Sequence, residues 1–131
     1  MIKRKLLVIG LLLSSAATAR TPPPFDSTTS LLEAKQAAGE LTSEQIVRDS
    51  LARIAEIDDA GAKLNAVIAV FPDAIDQAKK LDAERAKGFV RSPLHGIPVL
   101  VKDNIEVAGP VATTAGSLAL KDNITGHDAP I

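Results

Sequence analysis

The residues with the strongest claim to chemistry lie together at Ile97-Pro98-Val99-Leu100-Val101-Lys102-Asp103-Asn104. In an extended segment side chains alternate between faces. Ile97, Val99 and Val101 therefore share one face, and Pro98, Leu100 and Lys102 the other. Both faces are apolar until Lys102, which predicts a strand that enters the protein interior and delivers a lysine at its exit. Desolvation there disfavours an ammonium, and a lysine left neutral at working pH can accept a proton as a general base. A lysine ending a strand can equally be a surface charge whose stem lies along apolar neighbours, and the residues alone leave both readings open. Asp103 and Asn104 can orient neighbouring loops through side-chain to backbone hydrogen bonds. Asp103 is either support for the lysine's site or a turn former at the strand end.

The other candidates are weaker. His95, in a Leu-His-Gly-Ile-Pro turn, and His127, before Asp128, are too isolated in sequence to suggest a metal site. His95 reads as a turn residue bonding backbone. Gly96 and Gly116 read as residues of tight turns or close backbone approach. Thr113 and Thr114 are candidates to line the lysine's surroundings. Ser92 has no motif around it, and no Gly-rich phosphate loop or metal-ligand cluster is present. No cofactor is implied.

Several elements must position Lys102. A helix is predicted from Ser30 to the natural stop at Gly39. A second begins at Thr42 or Ser43, where Thr42 and Gln45 fit a capping box. Ile46, Val47, Leu51, Ile54 and Ile57 give it one apolar face, and Asp58, Asp59 and Gly61 end it. Asn65 to Phe71 carries the run AVIAVF, which reads as a short buried strand. A third helix opens at Pro72 or Asp73 and closes at Gly88. Its face of Lys79, Lys80, Asp82, Glu84, Arg85 and Lys87 reads as a solvated surface without function. Two apolar strands flanking a helix predict an α/β domain with a buried sheet, although two strands are too few to finish one.

The beginning of the chain predicts export. Lys3-Arg4-Lys5 form a positive n-region, Leu6 to Leu13 an apolar core, and Ala17-Thr18-Ala19 a small-residue cleavage site. Residues 1–19 are thus expected to be a signal peptide directing the protein to the periplasm or medium. The apolar run is shorter than the roughly 20 residues a membrane span needs, so no stable membrane anchor is expected after cleavage. Residues 20–29, with Pro22-Pro23-Pro24, read as an extended linker. Residues 30–131 hold the domain. Net charge is −1, and loss of Lys3, Arg4 and Lys5 leaves 12 basic against 16 acidic residues. Nucleic acid is therefore excluded as an expected partner. Aromatic residues make up 2% and cysteine is absent, so the core must come from Leu, Ile, Val and Ala without disulfide support.

The stretch LHGIPVLVKDNIEVAG, Leu94 to Gly109, followed by Thr113-Thr114-Ala115-Gly116-Ser117, resembles the amidase signature family. The likeness extends upstream through the L-T-S-E-Q helix, the L-N-A-V-I strand and the D-A-I-D-Q-A-K-K-L-D helix, and downstream to Asp128-Ala129. It covers about residues 30 to 131. It implies an α/β/α sandwich around a central mixed sheet, of which this chain is the N-terminal part. It also implies hydrolysis of a carboxamide C–N bond by a Ser–cis-Ser–Lys triad, in which Lys102 matches the lysine. The lysine would take a proton from the middle serine, which activates the nucleophilic one; an acyl-enzyme forms and water releases the acid. Both serines belong to a Gly/Ser-rich segment after the lysine that these 131 residues do not contain. Ser117 matches the T-T-A-G-S motif rather than the nucleophile, and the isolated chain is expected to be inactive. The implied partner is a small-molecule amide. The alternatives are the glutamine-hydrolysing subunit of a tRNA-dependent amidotransferase, which the leader opposes, and an exported binding or scaffold module without catalysis. Which amide is cleaved and which oligomer forms are not written in these residues.

Overall fold

A computed structural model describes residues 28–130. The signal peptide expected at 1–19, and the linker up to residue 27, lie outside the described residues. Thr28 and Thr29, assigned above to the linker, instead start the first helix. Thr28 is extended and its Oγ1 accepts the N–H of Leu31, satisfying a donor that the first turn leaves without an intrahelical partner. α1 then runs Thr29–Ala37 and turns out through Gly39 at φ +72°, the left-handed conformation that glycine adopts without a Cβ penalty.

α2 spans Ser43–Arg53, with Thr42 as its N-cap: Thr42 Oγ1 accepts the Gln45 N–H at 3.1 Å. Its expected apolar face is present. Ile46 and Val47 are buried, and Leu51, Ile54 and Ile57 are half-buried. Beyond Arg53 the helix widens into a π-helix, Ile54–Gly61, a geometry that shifts the side-chain register by one residue per turn. That shift carries Asp58 inward, to 6% exposure. Asp58 is more than a helix stop. Its carboxylate accepts the N–H of Ala66 at 2.8 Å and of Val67 at 3.1 Å, and its carbonyl accepts that of Asn65. The reversal between them passes Lys63 and Asn65 at φ 52° and 50°.

α3, Ala74–Ala86, packs against α2, and Ala78 is buried there with Ile46 and Val47. Its C-terminus closes at Gly88, φ +80°. The expectation that its charged face is merely solvated holds for Lys79, Lys80 and Lys87, which are exposed, and fails for Asp82, Glu84 and Arg85, which are half-buried. Asp82 reaches the start of α2, where its two oxygens accept the N–H groups of Ser43 at 2.7 Å and Glu44 at 3.0 Å. A carboxylate at a helix N-terminus satisfies orphan donors and opposes the positive end of the macrodipole. Here it also fixes the α2–α3 angle.

The two expected strands are not formed. Residues 65–71 and 97–102 carry no regular secondary structure, and among the described residues no strand is paired. Ile68, Val99 and Leu100 are 73%, 64% and 82% exposed. Alternation and apolarity make a segment fit for a sheet, whereas a ladder needs a second backbone at about 4.8 Å. No described segment supplies one. The rest of the described chain is loop, with one 3₁₀ turn at Leu118–Leu120. No helix among the described residues is long and apolar enough to cross a membrane.

Candidate active site around Lys102

The loop leading to Lys102 is anchored by a buried polar junction. Gln36 of α1, 3% exposed, donates from Nε2 to Ser43 Oγ at 3.1 Å. Arg85 of α3 donates from Nη2 to Gln36 Oε1 at 3.4 Å and to the His95 carbonyl at 2.9 Å. His95 is 3% exposed and bonds backbone on both sides, as its turn suggested. Nδ1 accepts the Arg91 N–H at 3.2 Å, so Nε2 carries the proton and donates to the Leu81 carbonyl at 2.9 Å. Gly96, at φ +79°, passes so close to α2 that a Cβ would stand 1.9 Å from Ser43 Oγ. Glu84 and Arg91 form a forked ion pair beside this turn. The hydrogen bond with Arg91 lowers the Glu84 carboxyl below its ordinary value and raises the guanidinium of Arg91. Polar bonds thus dock the Leu-His-Gly-Ile-Pro turn onto α3, whose Arg85 is linked through Gln36 and Ser43 to α1 and α2.

Lys102 follows at the end of the apolar run and is exposed. The expectation that this run is interior is therefore corrected for the described residues, for the reason given above: without a neighbouring strand neither face is covered. The lysine's backbone is nevertheless well defined. Its carbonyl accepts the Ile105 N–H at 2.9 Å, closing a turn over 102–105.

Asp103 ties that turn to the Thr113–Ser117 loop. Its Oδ1 accepts the Thr114 N–H at 2.9 Å, its Oδ2 accepts the Thr114 hydroxyl and the Gly116 N–H, and its carbonyl accepts the Ala115 N–H at 3.0 Å. Three successive N–H groups converge on one residue because Ala115 and Gly116 both have positive φ, 49° and 72°. Ser117 N–H closes their turn onto the Thr114 carbonyl at 2.8 Å. Successive amides in such a turn form a concavity that suits an anion, and Asp103 is that anion. On the far side Thr113 and Asn123 exchange two bonds, Thr113 N–H to the Asn123 carbonyl at 3.0 Å and Asn123 Nδ2 to the Thr113 carbonyl at 3.1 Å. The Asp103 carboxyl is held below its ordinary value of 3.8, first by the Thr114 hydroxyl and then by the Thr114 N–H. The N–H groups of Gly116 and Ala115 add to this, and partial burial opposes it.

A lowered native value means that folding favours the carboxylate. The clamp's stability is therefore fully present above the unfolded-chain value and is lost as pH falls through the lower native one. In an acid titration the amide resonances of Thr114 and Gly116 are expected to move with a midpoint below 3.8. A midpoint at or above that value would contradict the clamp.

The structure thus brings Lys102, Asp103, Thr113, Thr114 and Ser117 into adjoining turns. It places the other candidates elsewhere. Ser92 is exposed and its Oγ accepts the Leu94 N–H. His127 is exposed with Nδ1 3.4 Å from Glu106, and Asp128 accepts the Ala108 N–H at 2.7 Å, fastening the Asp-Ala step against the 106–108 segment. Among the described residues no group of three or more His, Cys, Asp or Glu could hold a metal ion. Sequence reasoning did not single out Asn123, and it read Arg85 as part of a solvated face. Neither gave a local signal, since their partners lie ten or more residues away.

A family model described as Amidase matches residues 45–131. A putative amidase of Schizosaccharomyces pombe is 40% identical over 104 residues, which is 79% of this chain and 17% of that protein. One subunit of the glutamyl-tRNA(Gln) amidotransferase of Symbiobacterium thermophilum is 42% identical over 96 residues, 72% of this chain and 19% of its own. Among solved structures, native peptide amidase from Stenotrophomonas maltophilia superposes with a TM-score of 0.73 at 47% identity, covering 76% of this chain and 20% of that one. An amidase family protein of Bacillus anthracis also superposes at 0.73, with 39% identity over 79% of this chain and 20% of its own. The chain spans about a fifth of the length of the relatives it matches.

Proposed function

Because this chain belongs to the Amidase family, we propose that the protein carrying it hydrolyses a carboxamide C–N bond, with Lys102 as proton acceptor. The observation that supports this most is the pair of adjoining turns, one bearing Lys102 and the other Thr114 to Ser117, joined through Asp103. In this reading the lysine draws a proton, through one serine, from a second serine, and both come from chain outside these 131 residues. The activated oxygen attacks the amide carbonyl, the amine leaves with a proton, and water releases the acid from the acyl-enzyme. Segments 65–71 and 97–102 join a mixed sheet between helical layers, which covers their apolar side chains and strips water from the lysine's surroundings. The substrate is a small amide, and no nucleic acid is bound.

We further propose that the protein is exported, on the strength of the Lys3-Arg4-Lys5, Leu6–Leu13 and Ala17-Thr18-Ala19 series. Relatives include glutamyl-tRNA(Gln) amidotransferase subunits as well as amidases, so the test must separate the two. The whole protein, expressed with its own N-terminus, is expected outside the cytoplasm with Arg20 as its first residue. It is expected to release ammonia or amine from carboxamides without partner proteins. A cytoplasmic, uncleaved protein that hydrolyses only glutamine, and only with partner proteins present, would overturn the proposal in favour of an amidotransferase.

A further inference from the structure

We infer that Asp103 and Thr114 are positioning residues for amide hydrolysis, locking the Lys102 turn to the Thr114–Ser117 turn so that the lysine is held in working register. The inference rests on the amidase reading above.

The bonds are concentrated in an unusual way. The side chain of Asp103 spends its acceptor capacity on one turn, taking the Thr114 N–H, the Thr114 hydroxyl and the Gly116 N–H, while its carbonyl takes the Ala115 N–H. A residue that merely ended a strand would bond its own following amides. Asp103 instead reaches a loop 11 to 13 residues away. It is also the residue directly after Lys102, so the lysine's Cα is one peptide unit from the clamp, and the 102–105 turn closes just beyond it. The Thr114 hydroxyl also accepts the Gly116 N–H at 3.1 Å, so it orders its own turn while donating to the carboxylate. A lysine has four rotatable side-chain bonds and an exposed position here. Register therefore has to come from the backbone, and in the described residues these contacts supply it.

The test uses the whole protein with three variants. Asp103→Asn removes an acceptor and the charge, Thr114→Val removes the hydroxyl at constant shape, and Thr114→Ser keeps it. With a primary amide, D103N and T114V are expected to lower kcat per folded molecule by about 100-fold, the size of effect that a misplaced catalytic group produces. KM is expected to change by less than about twofold, and T114S to stay within about threefold of wild type. The double variant is expected to be no slower than D103N alone, since both remove one interaction. Wild-type kcat in D103N and T114V, or T114S as slow as T114V, overturns the inference.

Amide hydrogen exchange gives a second readout that needs no turnover. In T114V, exchange at Ile105, whose N–H closes the lysine turn, is expected to quicken about tenfold together with Ala115. Faster exchange confined to 114–116 overturns the inference even if the protein cleaves amides. Failure of the wild-type protein to cleave any amide, with Ile105 responding as expected, overturns the functional reading and leaves the coupling between turns standing.

Discussion

Replacing Lys102 by Met in the whole protein is expected to lower kcat for amide hydrolysis by about 100- to 10,000-fold, the range contributed by a positioned general base. Met keeps the unbranched stem of lysine and removes only the amine, so packing along the apolar run is preserved and the loss reports proton transfer. KM is expected to change little, because the amine acts on the nucleophile rather than on bound substrate. Arg is the informative companion. It keeps a positive charge but cannot give up its proton near neutral pH, so Lys102→Arg is expected to fail as badly as Met. An arginine variant with substantial activity would mean that position 102 supplies charge and not a proton acceptor. Unchanged turnover in both variants would remove Lys102 from the mechanism altogether.

Gly96→Ala is expected to destabilise the protein by about 3 kcal/mol. Two costs combine. A left-handed φ of +79° costs an L-residue roughly 1–2 kcal/mol, and forcing a methyl into filled space costs about 1–3 kcal/mol more. The space is filled by Ser43, whose Oγ and Cβ lie 1.9 Å and 2.8 Å from the new Cβ. Ser43 cannot step aside: it is fully buried, its Oγ holds Gln36, and its N–H is held by Asp82. Gly39→Ala is the control. Its φ is +72°, yet nothing lies within 4 Å of its added Cβ, so only the backbone cost of about 1 kcal/mol is expected. Equilibrium denaturation of both variants separates strain from collision. Equal destabilisation would show that the Gly96 turn does not sit against α2 as described.

Position 96 also shows how differently two kinds of information were written. That a glycine stands before Ile97-Pro98 and makes a tight turn was legible from the chain. That its missing side chain is what lets the turn rest on Ser43, far back at the start of α2, was not. The same division runs through the helices. Thr42 as N-cap, the apolar face begun by Ile46 and Val47, and the stops at Gly39 and Gly88 are all present where local pattern put them. The charged residues of α3 look alike in sequence, yet Lys79, Lys80 and Lys87 meet solvent while Asp82 caps α2 and Arg85 spans Gln36 and the His95 carbonyl. No periodicity distinguishes them, because the distinction lies in which helix packs alongside.

By itself, then, the order of residues determined the family, the cap of α2 at Thr42, the stops at Gly39 and Gly88, the place of Lys102 at the end of an apolar run, and the backbone-bonding role of His95. These follow from interactions within a few residues: caps, i to i+4 contacts, and glycine at positive φ. The tertiary structure decided that Asp103 grips the Thr114 turn, that Asp58 and Asp82 receive distant amides, and that the 65–71 and 97–102 segments form no ladder among the described residues. A hydrogen bond between residues far apart in the chain exists only where the fold closes the intervening loop and brings donor to acceptor. Residue type can state the capacity for such a bond; only the path of the backbone selects the partner.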